Sequence, residues 1–462
     1  MAIAQFFRRK LVTTDGSEND SGLKRNLSAI DLILLGVGGI IGAGIFVLTG
    51  QAAAMHAGPA ILLSFVLAGF ACGLAAYCYS ELASMIPVAG SAYTYSYVAF
   101  GEIIAWVIGW ALILEFSLGA ATVAIGWSGY LVSFLETFNI HIPHYLTTAF
   151  SVDPAGGINL PAGLLILVLS WFLAHGIKIS SILNMIVVAI KVAVILTFIA
   201  AAAGYIDTKN YHPFMPFGFK GVVTGGAVIF FAYIGFDIVA TLAQETKNPQ
   251  RDVPIGIMGS LAVCTVLYLA VAAVLVGVIS YTKLNVPAPI ATALDAIHLG
   301  ILSPLIKFGA IAGLTTAMMG LLLGQNRIFY AMGRDGLLPA WTAKIHDTKG
   351  TPHITTWVVG TIVAVIASLS PINKVSELVS IGTLFAFVVV CGGVLVLRYT
   401  QPDTIRPFKV PFSPILPVLG ILANLYLMIG LPKITWTYFL TWAVLGLVVY
   451  ICYSRKNSIL NK

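Results

Sequence analysis

Residues 34–50 read LLGVGGIIGAGIFVLTG. Five glycines, Gly36, Gly38, Gly39, Gly42 and Gly44, stand in a run that is otherwise almost wholly apolar. No Asp, Glu, Lys or Arg occurs between Asp31 and Glu81, which leaves room for two membrane spans of about 20 residues each. A membrane helix tolerates some glycine, but this density predicts a helix interrupted in mid-bilayer. Irregular backbone at that depth persists only where it is buried in protein or lines a cavity.

The rest of the chain agrees with a membrane setting. It has 462 residues, 59% hydrophobic and 9% charged, against the roughly 25% charged residues of a soluble domain. Its mean hydropathy is +0.96. The apolar runs are long and continuous, which excludes a membrane barrel with its alternating segments of about ten residues. The net charge of +7 does not point to nucleic acid, because the basic residues are spread over short connections. The five cysteines contain no CxxC pair and read as small apolar residues in helices.

Twelve spans are predicted, at about 30–54, 59–85, 101–133, 159–177, 183–204, 221–244, 254–279, 303–332, 353–370, 376–398, 410–430 and 434–453. An even number places both ends of the chain on one face. With that face cytoplasmic, 18 lysines and arginines lie inside, 6 lie outside and one, Lys191, lies within a span. The inside set includes Arg8, Arg9, Lys10, Lys24, Arg25 and Lys178. The bias follows the positive-inside rule and sets the expected topology: multi-pass in the plasma (inner) membrane, both termini cytoplasmic. Residues 86–100 are tyrosine-rich and read as an interfacial cytoplasmic segment. Glu81 and Asp31 read as interfacial as well.

A second glycine-punctuated span occurs at 224–237, TGGAVIFFAYIGFD, with Gly225, Gly226, Gly235 and then Asp237. Five spans separate its start from that of span 1. This is the spacing of two inverted five-helix repeats, about 29–204 and 221–400, followed by two extra helices in 401–453 and a tail 454–462; residues 1–28 precede the core. In secondary transporters, paired broken helices of this kind hold the substrate.

Unwinding around Gly42-Ala43-Gly44 lets the amides of Ala43, Gly44 and Ile45 open a second half-helix, and a helix N-terminus suits a carboxylate. Carbonyls near Ile40 and Ile41, with those near Phe231 and Ile234 in span 6, suit an ammonium. Together the two breaks would grip the α-carboxylate and α-amine of an amino acid. The competing explanation is close helix packing, since Gly38 and Gly42 also form a GxxxG. A dinucleotide fingerprint fails on spacing, because Ile41 stands where the next glycine is required.

Lys191 lies eight residues or more from either end of its span, roughly 12 Å of helix rise from the headgroups. A charge there costs about 2.5–3.5 kcal/mol on insertion scales, which makes this lysine a candidate proton carrier rather than a snorkelling side chain. Candidate partners are the carbonyls of Gly38 and Ile41 and the hydroxyls of Thr315 and Thr316. Glu115 is the other mid-span ion. Two readings stand for it: a pocket-facing group that senses substrate charge, or a protonated carboxyl bonded to a neighbouring helix. Asp237 is either a gate or a half-helix cap. Phe231 adjoins the expected substrate position. No metal-ligand set and no Ser/His/Asp constellation is visible, so an enzyme is not expected.

GVGGIIGAGIF (36–46), FFAYIGFD (230–237), QETKNPQRDVP (244–254) and GQNRIFYAMGRDGLLP (324–339), in this order, resemble the amino acid–polyamine–organocation (APC) superfamily. The closest likeness is to bacterial members of the cationic amino acid transporter family, over about residues 28–455. The resemblance implies an all-α polytopic fold of twelve transmembrane helices with a five-plus-five inverted repeat (LeuT/APC-type) and broken helices 1 and 6. It implies that the span 1 motif binds the α-groups of the substrate, that Phe231 is an aromatic gate, and that Lys191 replaces a coupling sodium ion as the proton-linked group. It places Leu321 against the substrate side chain. One departure is Ala43, where relatives often carry Ser or Thr, so a hydroxyl contact is lost.

The expected activity is proton-coupled symport of L-amino acids by alternating access. The apolar residues Phe231, Ile234 and Leu321 favour small neutral substrates such as alanine; Glu115 keeps open the exchange of cationic amino acids or polyamines. A sensor without transport is the remote alternative. The partners implied are an L-amino acid, a proton and the lipid bilayer. No cofactor, metal or nucleic acid is expected, and oligomeric state and any small subunit stay unassigned.

Overall fold

A computed structural model describes residues 26–86, 91–176, 181–299, 302–347 and 349–461. The basic residues expected ahead of span 1, together with Lys178 and Lys462, lie outside the described residues. Among the described residues the regular structure is helical, and the only strand-like pairings are two isolated bridges, Leu27 with Thr246 and Ala149 with Gly157.

Among the described residues, eight helices are long and apolar enough to cross a membrane and four shorter apolar helices accompany them, and joined across the α1 break and divided before Ile61 they make twelve spans. They are α1 (Ala29–Ile40, then 44–57 after a break), α2 (Ile61–Met85), α3 (Glu102–Glu136), α4 (Leu160–Ala174), α5 (Ser181–Ala202), α6 (Gly218–Ile229, then Asp237–Thr241), α7 (Pro249–Val278), α8 (Leu302–Arg334), α9 (His353–Leu369), α10 (Ile372–Thr400), α11 (Ile415–Gly430) and α12 (Lys433–Val449). α3 and α8 have 35 and 33 residues, well beyond the roughly 20 a span needs, so they cross at a tilt or project past the hydrocarbon. These two helices pack along each other and form the spine of the molecule.

The packing is two-fold related. α1 rests on α7 as α6 rests on α2; α3 meets α10 as α8 meets α5; α1 meets α5 as α6 meets α10. α2 with α7, α3 with α8 and α4 with α9 are each a helix and its counterpart. Exchanging spans 1–5 for 6–10 therefore maps these contacts onto one another, the signature of the inverted repeat. α11 and α12 lie outside this symmetry, against α10, α2, α3 and α6.

Hydrogen bonds between connections test the even count independently. On one face, Asn26 and Leu27 amides donate to the Glu245 carbonyl after α6, and the Ile459 amide after α12 donates to the Asp335 carbonyl after α8. On the other, the Ala60 amide after α1 donates to the Phe214 carbonyl before α6, and the Asp207 amide after α5 donates to the Gly277 carbonyl in α7. Each pair joins helix ends that twelve crossings place on the same face.

Three expectations need correction. Residues 91–99 form a helix buried along its whole length, not an interfacial segment: it is wedged against α3, α10 and the second half of α6. Glu81 is 1% exposed, held by Arg398 and Arg406. Gly225 and Gly226 do not punctuate span 6. Both lie inside its first half, and their missing side chains admit Ala57 and the Ser64 side chain in one case and the Ser64 carbonyl in the other.

Candidate functional site

α1 begins at a capping box, in which the Asp31 carboxylate accepts from the Ser28 amide and hydroxyl at 2.8 and 2.7 Å. It stops at Ile41, whose ψ of 99° leaves the helical region. The non-helical link is Ile41–Gly42, slightly earlier than the glycine count suggested, because Ala43 has already returned to helical angles of −61° and −21°. The second half then opens with a wide turn, Gly44–Leu48, in which the Thr49 amide donates to the Gly44 carbonyl. By helix geometry the amides of Ala43, Gly44 and Ile45 have no partner within that half.

α6 breaks differently. Its first half runs into a tight turn, Phe230–Tyr233, and the chain extends at Ile234. Gly235 has φ +115°, a conformation open to glycine and strained for other residues. Asp237 starts the second half. The two breaks touch through glycines. A Cβ on Gly235 would lie 2.7 Å from the Gly39 carbonyl oxygen, and Gly44 leaves no space for a side chain beside the Ala232 backbone. The glycines serve close packing throughout: Gly36 and Gly38 seat side chains of α7 and α5, while Gly39 and Gly44 bring the breaks together.

Lys191 is fully buried on α5. Its Nζ donates to the Gly38 carbonyl at 2.8 Å and the Ile41 carbonyl at 3.1 Å, the last carbonyls before the break. Thr315 and Thr316 are not its partners. The Thr315 hydroxyl donates to the Ile311 carbonyl and accepts from Trp127 Nε1; the Thr316 hydroxyl donates to the Gly313 carbonyl. What α8 supplies instead is Gly313, where a Cβ would fall 2.9 Å from Lys191 Cγ. The Ile40 carbonyl accepts from the Tyr268 hydroxyl of α7 at 2.8 Å. The acceptors at Ile40 and Ile41 are therefore already engaged by Tyr268 and Lys191, so a substrate ammonium would share or displace these bonds.

Tyr268 was not singled out from sequence, although a phenol in an apolar span needs a partner for its hydroxyl. Its ring lies 5.7 Å from those of Tyr233 and Phe65, and the Tyr233 hydroxyl donates to the Phe65 carbonyl. This aromatic cluster joins α2, α7 and the α6 turn behind both breaks.

The remaining candidates line the α3–α8 side. Gly42 faces Ala317 of α8, and Ala43 faces Gly126 of α3. Leu321 lies against Gly119, and Glu115 is one helical turn away from Gly119 on the same stripe of α3. Glu115 is near Thr383 and Asp237, and its Oε2 has no hydrogen-bond partner. Asp237 accepts from the Ser91 hydroxyl at 3.5 Å. Exposure is 2% at Glu115, 6% at Phe231 and 7% at Ile234 and Leu321, so all four side chains are buried in this conformation.

Comparison with known proteins places this architecture. The family model "Amino acid permease" matches residues 27–451. The chain is 46% identical to the methylthioribose transporter of Bacillus subtilis (strain 168) over 461 residues, covering 100% of each chain. It is also 46% identical to the branched-chain amino acid permease of the same organism, over 99% of each. It is 42% identical to the vacuolar cationic amino acid transporter 4 of Arabidopsis thaliana, over 85% of this chain and 66% of that one. Two broken helices meeting at glycines, a two-fold related bundle and these similarities lead to one conclusion: the chain belongs to the amino acid permease family of the APC superfamily, a multi-pass membrane transporter and not an enzyme.

Proposed function

We propose that this permease carries neutral L-amino acids into the cell together with a proton, by alternating access across the plasma membrane with both termini cytoplasmic. The observation that supports the reading is the contact of the two breaks at Gly39–Gly235 and Gly44–Ala232, which brings the ends of the half-helices side by side. The amides of Ala43, Gly44 and Ile45 receive the carboxylate. Carbonyls of the α6 turn, from Phe231 to Ile234, receive the amine, with those of Ile40 and Ile41 behind it. Phe231, Ile234, Leu321 and Ala317 surround the side chain, which favours apolar substrates from alanine to the branched-chain residues. The permease relative whose name specifies branched-chain amino acids is in keeping with that range. Phe231 and Asp237 act as gate residues.

Lys191 is the coupling group in this reading. It binds the last carbonyls of the first half of α1, so loss of its proton would alter the hold on the break that shapes the substrate site. A zwitterion entering with one proton moves one positive charge. A potential of 100 mV contributes about 2.3 kcal/mol to that step, or roughly 50-fold accumulation.

The test is uptake by proteoliposomes under an imposed proton gradient. Lys191→Ala is expected to abolish uphill accumulation of alanine or leucine while substrate counterflow persists. Undiminished gradient-driven accumulation would overturn the coupling role. The alternative reading, exchange of cationic amino acids, rests on the unpartnered Glu115 Oε2. Counterflow saturated by arginine but not by leucine or alanine, and lost in Glu115→Gln, would establish it in place of the neutral-substrate reading.

A further inference from the structure

The helix of α12 continues beyond Val449 through a wide turn, Tyr450–Ser454, to Asn457, and the chain leaves helical angles at Ser458. The Ser454 hydroxyl, at the end of that turn, donates to the Leu337 carbonyl at 2.7 Å, and the Ile459 amide donates to the Asp335 carbonyl at 3.1 Å. Gly336, with φ +74°, leaves no room for a side chain where the Asn457 carbonyl crosses it. The centre of this arrangement is Glu102, 3% exposed at the start of α3. Its carboxylate accepts three hydroxyls: Tyr97 at 3.1 Å, Tyr450 at 3.0 Å and Ser458 at 2.5 Å.

Two of the groups tied here connect to the substrate cleft. Tyr97 belongs to the buried helix Ser91–Ala99, as does Tyr93, whose hydroxyl donates to the Asp335 carboxylate at 2.7 Å. The other end of that helix is Ser91, which donates to Asp237 at the head of the second half of α6. A nine-residue helix thus has the C-terminal segment bound at one end and the α6 gate at the other. It packs on α3, α10 and α6, the surfaces that must part for the cleft to open on this face.

We propose that residues 458–461, at the end of the α12 helix, are a clasp: bound to Glu102 beside Tyr450 they hold the Ser91–Ala99 helix under α6, and their release permits the cleft to open on the face of the chain termini. Ser458 is its sensitive point. A hydroxyl there donates to a buried carboxylate, whereas any anion at 458, whether a phosphoryl group or a glutamate, faces Glu102 with like charge and expels the segment. The proposal rests on the transport reading for the cleft, the α6 gate and the naming of that face as cytoplasmic.

Full-length protein in inside-out vesicles tests it without substrate. Cys452 is the exposed cysteine among five and is replaced by alanine; Ser96→Cys then places a reporter thiol on the clasped helix, at a buried hydroxyl with no hydrogen-bond partner. The Cys452→Ala protein alone defines background. In Ser458→Glu, reaction with a membrane-impermeant maleimide is expected to quicken about tenfold, the factor corresponding to loss of about 1.4 kcal/mol, near the contribution of one hydrogen bond to a carboxylate. Ser458→Ala should fall between this and the parent. Unchanged labelling in Ser458→Glu overturns the proposal. If that variant does not fold, unchanged labelling in Ser458→Ala overturns it equally. Because no amino acid or gradient is present, failure of the substrate or coupling assignment leaves this result readable.

Discussion

A helix interrupted inside a bilayer leaves carbonyls that water cannot reach, and single residues must satisfy them. Lys191 takes Gly38 and Ile41, and Tyr268 takes Ile40, so three carbonyls before the α1 break are bonded by two side chains from α5 and α7. Removing the hydroxyl in Tyr268→Phe strands the Ile40 carbonyl. The expected cost is about 1–3 kcal/mol, read as a lowered unfolding midpoint in detergent together with weaker substrate-induced stabilisation. An unchanged midpoint would show that the carbonyl finds another donor. Lys191 stood out in the sequence because a cation in an apolar run is conspicuous. Tyr268 and Gly313 did not, since a tyrosine or a glycine in such a run is ordinary until its neighbour is known.

At the scale of the element, the existence of two broken helices was legible and the position of the breaks was less so. Glycine has two uses in a membrane helix, unwinding and close approach, and composition does not separate them. Gly225 and Gly226 are packing glycines within a continuous half-helix, whereas Gly235 is a true break with φ +115°. Gly235→Ala is therefore expected to be severe: backbone strain of about 1–3 kcal/mol adds to a close contact with the Gly39 carbonyl. Counterflow in proteoliposomes should be lost while the protein remains monodisperse. Substantial activity would mean that the α6 turn tolerates a wider separation from α1 than the structure shows.

Over the whole molecule, the bundle is tied on the terminal face by ions as well as by packing. Glu81 of α2 accepts from Arg398 Nε at 2.9 Å and Nη2 at 2.5 Å, and from the Val410 amide at 2.7 Å, with Arg406 Nε at 3.5 Å. This fastens α2 to α10 and to the connection leading into α11. Breaking a buried pair by removing one partner typically costs about 3–5 kcal/mol. Glu81→Gln should accordingly lower the unfolding midpoint more than Tyr268→Phe does, and a smaller drop would mean that the arginines regain water. Glu81 looked interfacial because its place in the sequence is near a span end. Folding brings α10 and the segment 401–410 over that end and excludes solvent.

The chain's own sequence determined the membrane setting, the twelve crossings, the pairing of spans 1 and 6 and the isolation of Lys191. Each follows from local hydropathy, glycine density or the cost of a charge in hydrocarbon, which depend on neighbours along the chain. Tertiary structure alone decided which glycines unwind and which pack, which hydroxyls reach the break, that residues 91–99 are buried, and that the C-terminal segment closes on Glu102. Those outcomes depend on side chains from helices tens to hundreds of residues apart meeting in space, a property that span-by-span periodicity does not contain.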